Sequence, residues 1–138
     1  MKERSFFDSN ILLYTDDKRD PVKQAKALAL LQSGWASSNL VLSTQVLQEY
    51  FAASTRKLGV SAQAAQRKIE LLSQQLSVFS IAPEDIIQAI DIHRLHSFSF
   101  WDALIVRMAQ KTACTVLFSE DMQHGQVLGN VKIVNPFL

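Results

Sequence analysis

One stretch constrains the fold of this chain more than any other, the run from Ser97 to Asp121. Ser99, followed three residues later by Asp102, reads as a helix N-cap with an acidic residue at N3, just ahead of an apolar run. Between Ala103 and Ala109 only Arg107 is polar, and a helix apolar on nearly all sides is a buried one. Thr115 to Phe118, β-branched and aromatic, then suit a central strand that stops abruptly at Ser119-Glu120-Asp121. Two acidic positions therefore flank very apolar elements. Each has an ordinary explanation. Asp102 can serve the dipole and free N–H groups of its helix, and Asp121 can be a loop residue before Gly125. A functional reading needs further carboxylates that arrive at the same place.

The earlier chain supplies candidates. Phe6-Phe7 reads as the end of a short first strand, and Asp8-Ser9-Asn10 as its exit into a helix. Asp, Ser and Asn are all good N-caps, but one helix needs only one of them. Pro21 opens a second helix with Leu28, Leu30 and Leu31 on its apolar side and Gly34 as its expected stop. A second strand is expected over 39–42, followed by a helix over 45–58 that Gly59 ends. On that helix Val46, Leu47, Tyr50, Phe51 and Ser54 form a stripe at core-facing spacing. Glu49 sits beside the stripe about one turn in, where an exposed carboxylate is the ordinary reading. Arg56 lies two turns along the same face.

A helix over 61–76, a third strand over 78–81 and a helix from Pro83 towards His96 come next. Glu84 and Asp85 fall in that helix's first turn, where the dipole explains them. His93 and His96 have a spacing a metal can use, but no cysteine or third histidine stands near them, so they read as a helix end. A loop from Asp121 to Gly125 and a last strand over 131–134 complete the chain.

Composition sets the bounds. The 138 residues, 48% hydrophobic and 20% charged, are those of one ordinary globular domain, 1–138, with a real core. A net charge of +1 offers no broad basic field, so nucleic-acid binding cannot be argued from total charge. The single cysteine, Cys114, permits no internal disulfide and reads as a buried small residue in a reducing compartment. No run approaches the roughly 18 apolar residues of a membrane span, and the start lacks a signal-peptide core. The expected location is the cytoplasm.

Short strands alternating with helices define an α/β class with a mainly parallel sheet. Sites in such sheets lie beyond the carboxyl ends of the strands. Asp8 and Asp121 follow directly on strands, while Glu49 and Asp102 lie early in helices that can begin on that same edge. Carboxylates packed together repel one another unless cations neutralise them. Oxygen-only ligands call for Mg²⁺ or Mn²⁺, which suits phosphodiester chemistry. A glycine-rich nucleotide fingerprint is absent after the first strand, and no G-x-S-x-G elbow supports a Ser-His-Asp triad.

The chain resembles PIN domains, and most of all the small VapC-type toxins of bacterial toxin–antitoxin pairs. The motifs that carry the likeness are Phe7-Asp8-Ser9-Asn10-Ile11-Leu12, Val46-Leu47-Gln48-Glu49-Tyr50-Phe51, Phe100-Trp101-Asp102-Ala103-Leu104-Ile105, and the run from Leu117 to Gly125. Their order and spacing match along essentially the whole chain. The resemblance implies a Rossmann-like three-layer sandwich and a metal-dependent endoribonuclease. Asp8, Glu49, Asp102 and Asp121 would bind Mg²⁺ or Mn²⁺, with Asn10 and Ser119 as supporting polar residues. Glu120 is an additional acid, expected to be solvated or outer-shell while Asp121 reaches the metal. Cleavage would leave a 3′-hydroxyl and a 5′-phosphate. A cognate antitoxin covering the acidic cleft and a homodimer are the implied partners besides RNA. The alternatives are an RNA-processing nuclease without an antitoxin, or a weakly active RNA-binding module.

Overall fold

The computed structural model describes residues 3–138. Strand β1 (Arg4–Phe7) leads through helices α1 (Ser9–Tyr14) and α2 (Pro21–Ser37) to β2 (Leu40–Ser43). Helices α3 (Thr44–Lys57) and α4 (Ala62–Gln75) connect to β3 (Ser77–Phe79). The chain returns through α5 (Pro83–Leu95) and α6 (Phe100–Lys111) to β4 (Cys114–Phe118), and closes with β5 (Val127–Leu128) and β6 (Val131–Val134). The sheet order is β3-β2-β1-β4-β6-β5, parallel throughout except for the β5–β6 pair.

This order places the site. From β1 the chain steps outward to β2 and β3, then crosses back to β4 on the other flank of β1. Right-handed crossovers put α1–α4 on one face of the sheet and α5–α6 on the other. Between β1 and β4 the direction of winding reverses, which leaves a crevice beyond their carboxyl ends. Phe7 pairs with Phe118 there, so the next residues, Asp8 and Ser119, emerge side by side. Beneath them Phe6, Phe7, Leu42, Ile105, Leu117 and Ile133 form the middle of the core.

Helix α6 is buried as its apolar run requires, from Ala103 through Ala109 apart from Arg107. The exception has a partner. Arg107 Nε lies 3.2 Å from Asp85 Oδ1, and Lys111 Nζ lies 2.9 Å from Asp85 Oδ2. Asp85 is fully buried and also accepts from the Ala82 N–H at 2.8 Å. It therefore caps α5 and ties that helix's first turn to the last turns of α6, as its structural reading anticipated.

Three expectations need correction, and one element was not anticipated. Helix α2 does not stop at Gly34 but runs to Ser37, with Ser38 in the left-handed conformation at φ 56° as its cap. Gly34 is instead a packing residue: a Cβ there would stand 2.7 Å from Leu40 Cβ. Strand β3 ends at Phe79 rather than Ile81, because Phe79 pairs with Ser43, the last residue of β2, and beyond it no ladder remains. Phe51 leaves the core stripe at 39% exposure; Tyr50 takes the inward position and its hydroxyl donates to Asp16. The unanticipated element is strand β5, a two-residue edge turned back by Gly129 at φ 61°. Its available signal was Gly129-Asn130 between apolar residues.

Gly34→Ala should destabilise the protein. Alanine improves the helix by about 1 kcal/mol, but forcing a methyl against the base of the Leu40 side chain typically costs about 1–3 kcal/mol. A lowered urea midpoint is the expected result, and a raised one would show that the α2–β2 contact yields freely.

Candidate functional site

The site begins with the hydrogen bonds that the end of β1 demands. Asp8 is the N-cap of α1, and its Oδ1 accepts from the Ser9 N–H at 2.7 Å. Its other oxygen, Oδ2, accepts from Ser119 Oγ at 2.9 Å and from Asn10 Nδ2 at 3.3 Å. Capping and functional readings of Asp8 are therefore not rivals, because each uses a different oxygen. Asn10 Nδ2 also donates to Asp121 Oδ2 at 3.1 Å, so one amide bridges Asp8 and Asp121 across the switch point.

Glu49 and Asp102 come from the helices. Ser99 Oγ accepts from the Asp102 N–H at 3.1 Å and caps α6. Gln45, buried on α3, was not singled out in the sequence. Its Nε2 donates to the Trp101 carbonyl at 3.1 Å and to Glu49 Oε2 at 3.4 Å. This one amide ties the Glu49 helix to the start of α6. A glutamine preceding Glu49 by one helical turn was the only signal for it.

Electrostatics join the two halves. Burial, reinforced by the charges of Asp102 and Glu49, pushes the Asp8 carboxyl up to about 7, against the lowering pull of its bonds with Ser119 and Ser9. Burial likewise raises Asp102, helped by the charge of Asp121 and opposed by Ser99. Asp8 thus lies in the fields of Glu49 and Asp102, and Asp102 in that of Asp121. Among the described residues no group of three or more His, Cys, Asp and Glu side chains stands close enough to hold an ion as it is. The donor set nevertheless fits a hard divalent cation: it is all oxygen, and it is charged at a cost that a cation would relieve.

Of the other residues singled out in the sequence, His96 borders the acids and the rest lie elsewhere. Glu120 turns away from the cleft, with its carboxylate on Tyr14 and Lys23. His93 Nδ1 is paired with the Phe98 carbonyl at 2.7 Å and belongs to the helix end. His96 lines a cleft with Asp102, Asp121 and Gln123. Arg56 is exposed and does not reach the acids. Cys114 is buried, as expected. No helix among the described residues is long and apolar enough to cross a membrane.

In a parallel α/β sandwich the crevice beyond the switch point is where ligands bind, and here it is edged by acids. The chain belongs to the PIN domain family, whose model matches residues 5–127. Its fold is that of VapC20 of Mycobacterium tuberculosis, a sarcin-ricin-loop-cleaving toxin, with 21% identity over 82% of this chain and 86% of that one and a TM-score of 0.64. A toxin–antitoxin complex from Klebsiella pneumoniae is similar at 18% identity over 96% and 97% of the two chains, with a TM-score of 0.68. VapBC from Salmonella typhimurium, bound to DNA, gives 13% identity over 96% and 97%, again with a TM-score of 0.68. A search of curated protein sequences finds no match.

The raised Asp8 sets a pH dependence. Its ordinary value is 3.8, so between about 4 and 7 the folded protein keeps a proton that the unfolded chain releases. The stability Asp8 contributes is complete below that window and lost as pH rises through it. Asp8→Asn keeps an oxygen to cap α1 but carries no charge. In metal-free protein it should therefore raise Tm at pH 8 by about 5 °C, with the gain shrinking towards pH 4. Equal gains at both pH values would show that the Asp8 charge is not what destabilises the native site.

Proposed function

We propose that this protein is a metal-dependent endoribonuclease and the toxin of a toxin–antitoxin pair. The observation that carries the reading is the buried Asp8, bridged by Asn10 to Asp121 and facing the charges of Glu49 and Asp102. Such a site holds negative charge in readiness for a cation. Membership of the PIN family and the fold of the VapC toxins support the same reading.

Asp8, Glu49, Asp102 and Asp121 would hold Mg²⁺ or Mn²⁺. A cation held there would supply Lewis acidity towards water and positive charge towards a phosphodiester. The chain's own part is positional. Ser119 and Asn10 keep Oδ2 of Asp8 and one oxygen of Asp121 directed, the Ser9 N–H holds the other Asp8 oxygen, and Gln45 keeps Glu49 level with the start of α6. The cleft beside Asp102 and Asp121, with His96 and Gln123, gives a strand of RNA a way in. Hydrolysis there leaves a 3′-hydroxyl and a 5′-phosphate. An antitoxin segment would silence the enzyme by covering the same acids, and a homodimer is the proposed assembly.

Purified protein with total cellular RNA and Mn²⁺ or Mg²⁺ should give discrete fragments. EDTA, Asp8→Asn and Asp102→Asn should each abolish them, lowering the rate by at least about 10²-fold while the variants stay folded. Fragments that persist in EDTA, or in folded Asp8→Asn protein, would sink the assignment. A folded protein that binds RNA and Mn²⁺ yet cuts nothing in total RNA would instead support the binding-module reading.

A further inference from the structure

Glu120 and Asp121 are neighbours in the chain, and either could have faced the other acids. The difference between them is made by residues far away. Lys23 on α2 places its Nζ 2.6 Å from Glu120 Oε2, and the Tyr14 hydroxyl donates to Glu120 Oε1 at 2.6 Å. Both carboxylate oxygens are thus engaged. The Lys23 ammonium lies 5.1 Å from the centre of the Tyr14 ring and 5.6 Å from that of Phe137, and these two rings pack edge to face at 4.9 Å. The Glu120 N–H donates to Asn10 Oδ1 at 3.2 Å, and the nitrogen of that same amide holds Asp121 and Asp8.

The side chains of Lys23 and Glu120 are 34% and 23% exposed, and an ion pair this open to water adds little to stability by itself. Its geometry is another matter. Three atoms of Glu120 are fixed, two outward on α2 and α1 and one inward on Asn10. The Ser119–Glu120 peptide, one residue ahead of Asp121, is then fixed as well. Without the pair, a fifth carboxylate would be loose at the rim of a site already crowded with negative charge.

We propose that Lys23 and Tyr14 are positioning residues of the metal site: they draw Glu120 out of the acidic cleft and set the 119–121 turn so that Asp121 alone faces Asp8 and Asp102. The inference rests on the metal-dependent reading above. It adds that the identity of the fourth acid is decided on α1 and α2 and not by β4 itself.

Mn²⁺ binding to the purified full chain, measured by calorimetry alongside thermal melting, tests this. The variants are Lys23→Glu, Glu120→Lys, the double exchange of both, and Tyr14→Phe. Charge alone would make Lys23→Glu bind Mn²⁺ more tightly and Glu120→Lys less tightly. A positioning role instead makes both weaker, by about tenfold, the usual scale for residues that hold metal ligands in place. The double exchange restores the pair with its signs reversed and leaves net charge unchanged, so it should return affinity to within about threefold of the native protein. Tyr14→Phe, which keeps the ring and alters no charge, guards against misfolding of the charge variants and should weaken binding by about threefold.

Native-like affinity in Tyr14→Phe and both charge variants would overturn the proposal. So would a double exchange as weak as Glu120→Lys alone, since Glu120 would then itself be a ligand. Failure of the native protein to bind Mn²⁺ at all would fail the metal reading first, before any variant is compared.

Discussion

The structure depends on the placement of one buried carboxylate at the point where the sheet changes direction. Asp8 follows the central strand β1, and its two oxygens are divided between the start of α1 and the neighbouring strand's exit at Ser119. Burial at the end of a parallel strand is costly for a charge. Hydrogen bonds from Ser9, Asn10 and Ser119 offset part of that cost, and the remainder persists as a carboxyl pushed up to about 7. The fold thus stores at Asp8 an unfavourable charge that binding a cation would relieve. Asn10, Ser119 and Asp121 are arranged around that fact.

Much of this arrangement was legible in the sequence. Asp8 and Asp121 could be placed because each follows an apolar strand whose end is sharply marked, and strand ends in a parallel sheet share an edge. Asp102 could be placed because Ser99 before it is so plainly a cap. The competing explanations proved compatible with the site, since a carboxylate has two oxygens and a capped helix start still carries the side chain at N3.

What escaped the sequence was set by contacts at long range or by geometry that periodicity does not encode. Glu120 and Asp121 could not be ranked with certainty from their own surroundings, because the partner that separates them, Lys23, lies 97 residues away. Gln45 looks like any helical glutamine until its amide is seen between Glu49 and Trp101. Apolar spacing put Phe51 inside, yet it is exposed, as are Ile86, Ile87 and Ile90 on α5; hydrophobicity alone does not say which apolar face a fold will use. Gly34 was misjudged for a different reason. A glycine near a helix end can be a stop or a point of close approach, and only the position of Leu40 decides.

The clasp between α5 and α6 has a bearing on how the molecule meets acid. Burial works to raise Asp85, but the Ala82 N–H, Lys111 and Arg107 outweigh it and hold this carboxyl below the usual carboxylate range. At the opposite end of α6, Asp102 is held above that range. Acidification therefore acts on the two ends of one helix with opposite sign. It quiets the crowding around Asp102 while the Asp85 clasp still grips, and only at a lower pH does the clasp begin to slacken. As acid is added, the helical hairpin would open from its distant end, and the mouth of the site would be the last part of it to lose its shape.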